Sequence, residues 1–121
     1  FVIFALKNMY GGEIFVKKIP SMNIIDIAKA INSTPKFKYI GIRPGEKLHE
    51  QMISEDDSIA TYEFKDYFKI LSPIIPSSEK KKIIKGSIKV GENFSYRSNI
   101  NKKWLNFEKL KVWIKNNPNY Y

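Results

Sequence analysis

The run "EIFVKKIPSMNIIDIAKAIN", residues 13–32, changes its hydrophobic period partway along, and that switch restricts the fold more than any other feature of the chain. Up to Ile19 the side chains alternate, Ile14 and Val16 against Phe15 and Lys17, which is the period of a strand. Pro20 closes it. Beyond, Ile24, Ile27, Ala28 and Ile31 recur at i, i+3, i+4 and i+7, one stripe of an amphipathic helix. Ser21 or Asn23 is placed to cap that helix, and Asp26 suits its positive end. After Pro35, "FKYIGI" alternates again, Phe37 and Tyr39 against Lys38 and Ile40. A strand, a crossover helix and a strand predict a βαβ-like unit, because parallel pairing requires such a crossover.

The flanking segments read by the same rules. Phe1, Phe4, Ala5 and Met9 mark the end of a helix stopped by Gly11 and Gly12. Pro44 and Gly45 open a short helix carrying Leu48 and Met52. Ser54 before Glu55, Asp56 and Asp57 is a helix start, the hydroxyl capping and the carboxylates favouring the positive end. "TYEFKDYFKIL" predicts a hairpin around Lys65 and Asp66, with one longer strand also compatible. Pro73, Pro76, Ser77, Ser78 and the lysines 80–82 predict an irregular connector. From Asn106 a last helix places Phe107, Leu110 and Ile114 on one face, bordered by Trp113 and stopped by Asn117-Pro118. The predicted organisation is α/β, or α+β-like: a small sheet with short helices. It comprises a lobe over 1–71, a connector over 72–93, and a C-terminal loop and helix over 94–121 packing on the lobe.

Composition narrows the chemistry. The 121 residues suffice for one core, and with 43% hydrophobic residues the chain is far from the make-up of a disordered segment. No cysteine is present, so disulfides and thiolate metal sites are excluded and a reducing, cytoplasmic setting is expected. The single histidine, His49, rules out a multi-histidine zinc site. No apolar run is long enough to span a bilayer, and the start does not read as a signal peptide. Phe1 stands within a helical pattern without an initiator methionine, as in a piece of a longer protein. The net charge of +9 comes from 19 lysines and two arginines. Arginine is the preferred reader of guanine edges and phosphates, so this balance points to compositional bias and not to nucleic-acid binding.

A reactive constellation is missing. There is no glycine-rich dinucleotide fingerprint, no phosphate loop ending in Gly-Lys-Ser/Thr, no nucleophile elbow and no Tyr-x-x-x-Lys pair. Tyr39 is followed four positions on by Arg43, and Tyr62 by Asp66. Glu55, Asp56 and Asp57 point in different directions on a helix, which favours a helix start over a cation site. His49, alone on a predicted helix, fits a surface or interface residue better than a general acid or base.

"IGIRPGEKLHE", residues 40–50, is denser in chemistry. Arg43 and Glu46 follow a predicted strand, at the carboxyl edge where α/β sheets bind ligands, and Pro44-Gly45 forces a tight turn between them. The arginine can grip phosphate oxygens bidentately and the carboxylate can accept ribose hydroxyls, a combination suited to a nucleoside diphosphate. A simple i, i+3 salt bridge explains the same residues. The residues alone leave both readings open.

Their surroundings carry more. "GGEIFVKKIPSMNIIDIAKAI", "IGIRPGEKLHEQMISEDD", "YEFKDYFKI" and "FSYRSNINKKWLNFEKL" together resemble, in the right order, the C-terminal part of the inverting UDP-N-acetylglucosamine 4,6-dehydratases. These are extended short-chain dehydrogenases/reductases of the polysaccharide-biosynthesis group that feeds pseudaminic acid and related deoxy-amino sugars. The match is weakest over 72–93. The resemblance implies the substrate-binding lobe of a two-part enzyme whose Rossmann domain, absent here, holds NADP and the catalytic residues. In that family the sugar is oxidised at C4, water is eliminated across C5 and C6, and hydride returns to C6 with inversion at C5, without an external redox partner.

Carried over by position, Arg43 matches the arginine near the UDP phosphates and Glu46 the acidic residue at the ribose. Lys47 and His49 match the motif without an assigned role. Ser98, Asn99 and Asn101 match a "Y-x-S-x-x-N" stretch that reads best as a capped loop ahead of Trp104 and Leu105. The implied partners are UDP-N-acetylglucosamine, the Rossmann domain and further copies in a homo-oligomer, with no nucleic acid, membrane or metal. By itself the chain is expected to be inactive and to hold NADP poorly. A related UDP-sugar epimerase and a non-catalytic binding module are the alternatives.

Overall fold

A computed structural model describes residues 1–117 and divides the chain into two interleaved compact units. Residues 1–18 and 51–97 form the first, and residues 19–50 with the chain from Ser98 on form the second. This division differs from the expected one, in which a single lobe ran unbroken to residue 71.

The first unit is built on an antiparallel sheet. Helix α1 (Val2–Asn8) leads into β1 (Ile14–Lys17), as the sequence predicts. Gly12 sits at φ +78°, and a Cβ there would come within 3.2 Å of the Ser72 side chain, so the bend into β1 suits glycine alone. The predicted hairpin forms from β3 (Thr61–Glu63) and β4 (Tyr67–Ile70). β1 pairs antiparallel with β4, and β5 (Ile88–Lys89) completes the order β1-β4-β3-β5. A separate ribbon joins β2 (Gln51–Ile53) to β6 (Tyr96–Arg97). A short 3-10 helix (Asp56–Ala60) lies between β2 and β3.

Its start matches expectation. The Ser54 hydroxyl accepts the Asp57 N–H at 3.2 Å, and the Asp57 carboxylate accepts the Ser54 N–H at 3.2 Å, a reciprocal cap. Asp57 is thereby committed to structure. Among the described residues no group of three or more His, Asp or Glu side chains could hold a metal ion.

Alternation assigns the two faces of the sheet. Val16, Phe68 and Ile70 point to one side and form the core with Ile53, flanked by Ala60, Val90, Phe94 and Tyr96. Phe15, Tyr67 and Lys69 point to the other. There Phe4 of α1 meets Tyr67 and Phe15 edge-on at 5.4 and 6.5 Å, while Phe64 stacks on Tyr67 at 4.6 Å. Both faces of β4 are therefore covered, and Lys69 is buried beside Glu13.

The second unit holds helices α2 (Ile24–Ile31) and α4 (Phe107–Asn116), packed against each other. Of the two candidate caps for α2, Asn23 does the work, its side chain accepting the Ile25 N–H at 2.9 Å. Ser21 instead forms an isolated parallel bridge with Trp104, its N–H donating to Lys103 O and its carbonyl accepting from Leu105 N–H. Ile27 and Ala28 are half-buried, but Ile24 and Ile31 are 75% and 61% exposed, so only the middle of the predicted stripe is covered. Helix α4 starts after Asn106 and buries Leu110, as predicted, and the Asn106 side chain caps it by accepting the Lys109 N–H. Asn117 ends it, and Pro118 lies outside the described residues.

Three expectations are corrected. Residues 37–42 form no strand, so there is no strand-helix-strand unit with parallel pairing. Their unit contains no strand among its described residues, and Tyr39, Ile40 and Ile42 are 84%, 60% and 61% exposed, leaving an extended segment without an edge to join. No helix follows Pro44 and Gly45: the chain stays irregular to Glu50, and Met52 lies in β2, paired with β6. The 72–93 segment is more ordered than a connector, with α3 (Ser77–Ile83) starting just after Pro76 and β5 extending the sheet. No helix among the described residues is long and apolar enough to cross a membrane.

Candidate functional site

Arg43 and Glu46 lie in an exposed loop of the second unit, every residue from 36 to 50 being exposed. The predicted position at the carboxyl edge of a sheet is therefore not realised. The predicted turn is. Glu46 N–H donates to Arg43 O at 3.0 Å, and Gly45 has φ +87°. Proline second and positive-φ glycine third are the residues of a type II turn, and a Cβ at position 45 would force that φ on a residue that resists it. The Glu46 carboxylate then reaches back to accept the Arg43 N–H at 2.9 Å.

This closure holds the Arg43 and Glu46 side chains at one end of a hydrogen-bonded four-residue turn. The guanidinium stays largely uncommitted: its Nε is 3.9 Å from Glu46 Oε1, and its side chain is 69% exposed. An exposed pair at that distance contributes on the order of 0–1 kcal/mol, so it fixes the guanidinium only weakly. Of the two readings of these residues, the i, i+3 salt bridge is seen, as a loose exposed contact.

The other carried-over residues separate. Lys47 and His49 are exposed in the same loop, and His49 is on a bend, not on the helix predicted for it. Ser98 and Asn101 serve the backbone. Ser98 exchanges hydrogen bonds with Glu50, its N–H donating to Glu50 O at 2.8 Å and its hydroxyl accepting the Glu50 N–H at 3.1 Å. Asn101 donates to Ile19 O at 2.8 Å and Ser21 Oγ at 3.1 Å, and its carbonyl accepts from Lys103 N–H at 3.1 Å. Its own backbone carbonyl accepts the Trp104 indole N–H at 2.8 Å. The capped-loop reading holds for these two; Asn99 is exposed. Asn101→Ala is expected to destabilise the chain by about 1–2 kcal/mol in urea denaturation, since one amide ties residues 80 positions apart. An unchanged midpoint would overturn the tethering role.

Sequence reasoning passed over a second cluster of charged groups. Glu13 and Lys69, 3.9 Å apart, are 7% and 4% exposed. Period-two alternation in β4 sets Lys69 on the face away from Phe68 and Ile70, which normally means solvent. The only local hint was the density of aromatics in α1 and β1 able to cover that face.

A family model described as polysaccharide biosynthesis protein matches residues 1–72. The inverting UDP-N-acetylglucosamine 4,6-dehydratase of Campylobacter jejuni subsp. jejuni serotype O:2 is 47% identical over 117 residues, 91% of this chain and 34% of that protein. A UDP-glucose 4-epimerase of Rickettsia rickettsii is 32% identical over 114 residues, 91% of this chain and 33% of the relative. The chain thus spans about a third of the length of these curated relatives. Among solved structures, Pen from Bacillus thuringiensis superposes with a TM-score of 0.75 at 28% identity, covering 96% of this chain and 35% of Pen. The superposition agrees with the expected small mixed α/β lobe of sheet and short helices. With its first 72 residues, the Arg43–Glu46 turn included, matching the family model, the chain belongs to the polysaccharide biosynthesis protein family.

Proposed function

We propose that this chain is the nucleotide-sugar-binding portion of an inverting UDP-N-acetylglucosamine 4,6-dehydratase, with Arg43 holding the diphosphate and Glu46 the ribose. The observation that carries the reading is the difference in identity across the same share of the chain: 47% to the Campylobacter dehydratase against 32% to the Rickettsia epimerase. The turn geometry supports it. Arg43 presents an exposed planar donor fork, each charge-assisted hydrogen bond of which contributes about 1.5–3 kcal/mol. Glu46, already fixed by the Arg43 N–H, keeps a second carboxylate oxygen for a sugar hydroxyl.

The residues present do not fit NADP. None of the six glycines belongs to a phosphate-cradling loop that opens a helix. A dinucleotide would be held by residues outside this chain, together with the groups that transform the sugar, so the role assigned to these residues is binding and orientation. A homo-oligomeric assembly of the whole protein in the cytoplasm is part of the same proposal.

Arg43→Ala is expected to weaken UDP binding about 10- to 100-fold by titration calorimetry, the loss of one or two charged hydrogen bonds, with Arg43→Lys retaining part of it. Unchanged affinity would reject the phosphate role. The epimerase reading rests on the Rickettsia matches. It is separated by the product the whole protein forms: loss of water from UDP-N-acetylglucosamine supports the dehydratase, whereas interconversion of two UDP-hexoses of equal mass supports the epimerase.

A further inference from the structure

The first unit carries a cavity of about 330 Å³ that shares no residue with the Arg43–Glu46 turn. Four lysines from three different elements converge on it: Lys7 from the last turn of α1, Lys69 from β4, Lys82 from α3, and Lys85 just beyond α3. No carboxylate is among the lining residues. Surface lysines ordinarily spread apart, because like charges repel and each ammonium is best hydrated alone. Here one of the four is buried, and a concave wall concentrates the field of all of them.

The charge is balanced only in part. Glu13 lies 3.9 Å from Lys69, but its oxygens already accept the Tyr10 N–H at 2.9 and 3.1 Å and the Gly11 N–H at 2.6 Å. Its single negative charge leaves three of the four ammonium charges without a neighbouring carboxylate in the wall. Tyr10 and Tyr67 also line the cavity and bring phenol groups that can donate to an anion. Burial raises the Tyr67 hydroxyl above its ordinary value, which keeps that donor protonated. The stacked Phe64–Tyr67 pair supplies an apolar wall. The volume is at the small end of ligand sites.

We propose that this cavity is an anion site for a small phosphate-bearing molecule, its phosphoryl oxygens held by Lys7, Lys69, Lys82 and Lys85. Lysine ammoniums act there as movable point charges suited to a phosphoryl group.

Titration calorimetry of the chain with inorganic pyrophosphate tests the site. Saturable one-to-one binding that weakens as sodium chloride rises is expected. The double variant Lys82→Ala/Lys85→Ala should lose affinity at least about tenfold, since two charged contacts are removed. Both side chains are exposed, so its thermal melting should match the parent's. Lys109→Ala/Lys115→Ala, which removes the same charge from α4, should change affinity by no more than about twofold. The site is overturned if pyrophosphate does not saturate, or if the α4 variant loses as much as the α3 variant. Loss in Arg43→Ala with retention in the α3 variant would also overturn it, by placing the anion on the turn; the UDP titrations at Arg43 stand or fall independently.

Discussion

Replacing Phe68 with alanine is expected to cost the chain about 3–5 kcal/mol, the range for emptying a buried aromatic site that cannot collapse. Phe68 is 4% exposed and sits at the centre of the core formed with Val16, Ile53 and Ile70. Its ring lies 5.1 Å from that of Phe94 and 5.2 Å from that of Tyr96, and the Lys18 ammonium is 4.9 Å from its centroid. One deletion therefore loosens β1, the β3–β4 hairpin and β6 together. Urea denaturation should show the midpoint falling steeply for Phe68→Ala, with Phe68→Leu keeping much of the stability. Ile74→Ala, at a residue 82% exposed, should shift stability by no more than about 0.5 kcal/mol. If the two alanine variants behave alike, this cluster is not the core.

Glu13→Gln is expected to destabilise the chain by about 2–4 kcal/mol, because it removes the carboxylate charge beside the buried Lys69 ammonium while leaving that ammonium in place. Burial pushes the Glu13 carboxyl up, but the backbone N–H groups of Tyr10 and Gly11, its own N–H, and Lys69 outweigh it and hold the group below its ordinary value of 4.5. A carboxyl depressed on folding contributes stability that is present above the unfolded value and is lost as pH falls through the folded one. The parent chain should lose stability below about pH 4.5 more steeply than Glu13→Gln. Lys69 runs the other way. Burial lowers its ammonium below the ordinary 10.5, with Glu13 opposing, so its penalty is present at neutral pH and eases as pH rises toward 10.5. Glu13→Gln/Lys69→Met should recover part of the loss, since an apolar side chain does not need the missing charge. A flat acid profile together with unchanged stability would show that the pair holds nothing.

Local chemistry was legible from single segments. The period of 3.6 in 24–31 and 107–114, the Asn caps, the Ser54–Asp57 start, the hairpin around Lys65–Asp66 and the Pro44-Gly45 turn all appear where residue type and spacing place them. Each depends on interactions within four or five residues, and those interactions are the same in any fold. The Arg43–Glu46 relationship was readable for the same reason: a turn brings i and i+3 together whatever surrounds it.

Long-range partners were not legible. The alternation in 37–42 matches that in 14–17, yet only the second became a strand, because β4 offers an edge to β1 while the unit around 37–42 contains no strand among its described residues to accept another. Alternation in β4 sets Lys69 on the face opposite Phe68 and Ile70; that this second face is covered by α1 and Phe64 follows only from the packing. What the amino-acid order determined by itself was helices α2 and α4, the Ser54–Asp57 start, the Pro44-Gly45 turn and the strand pattern of the hairpin. Which strands pair, which lysine is buried and which lysines share one cavity were decided by tertiary structure, since burial and pairing depend on segments dozens of residues apart.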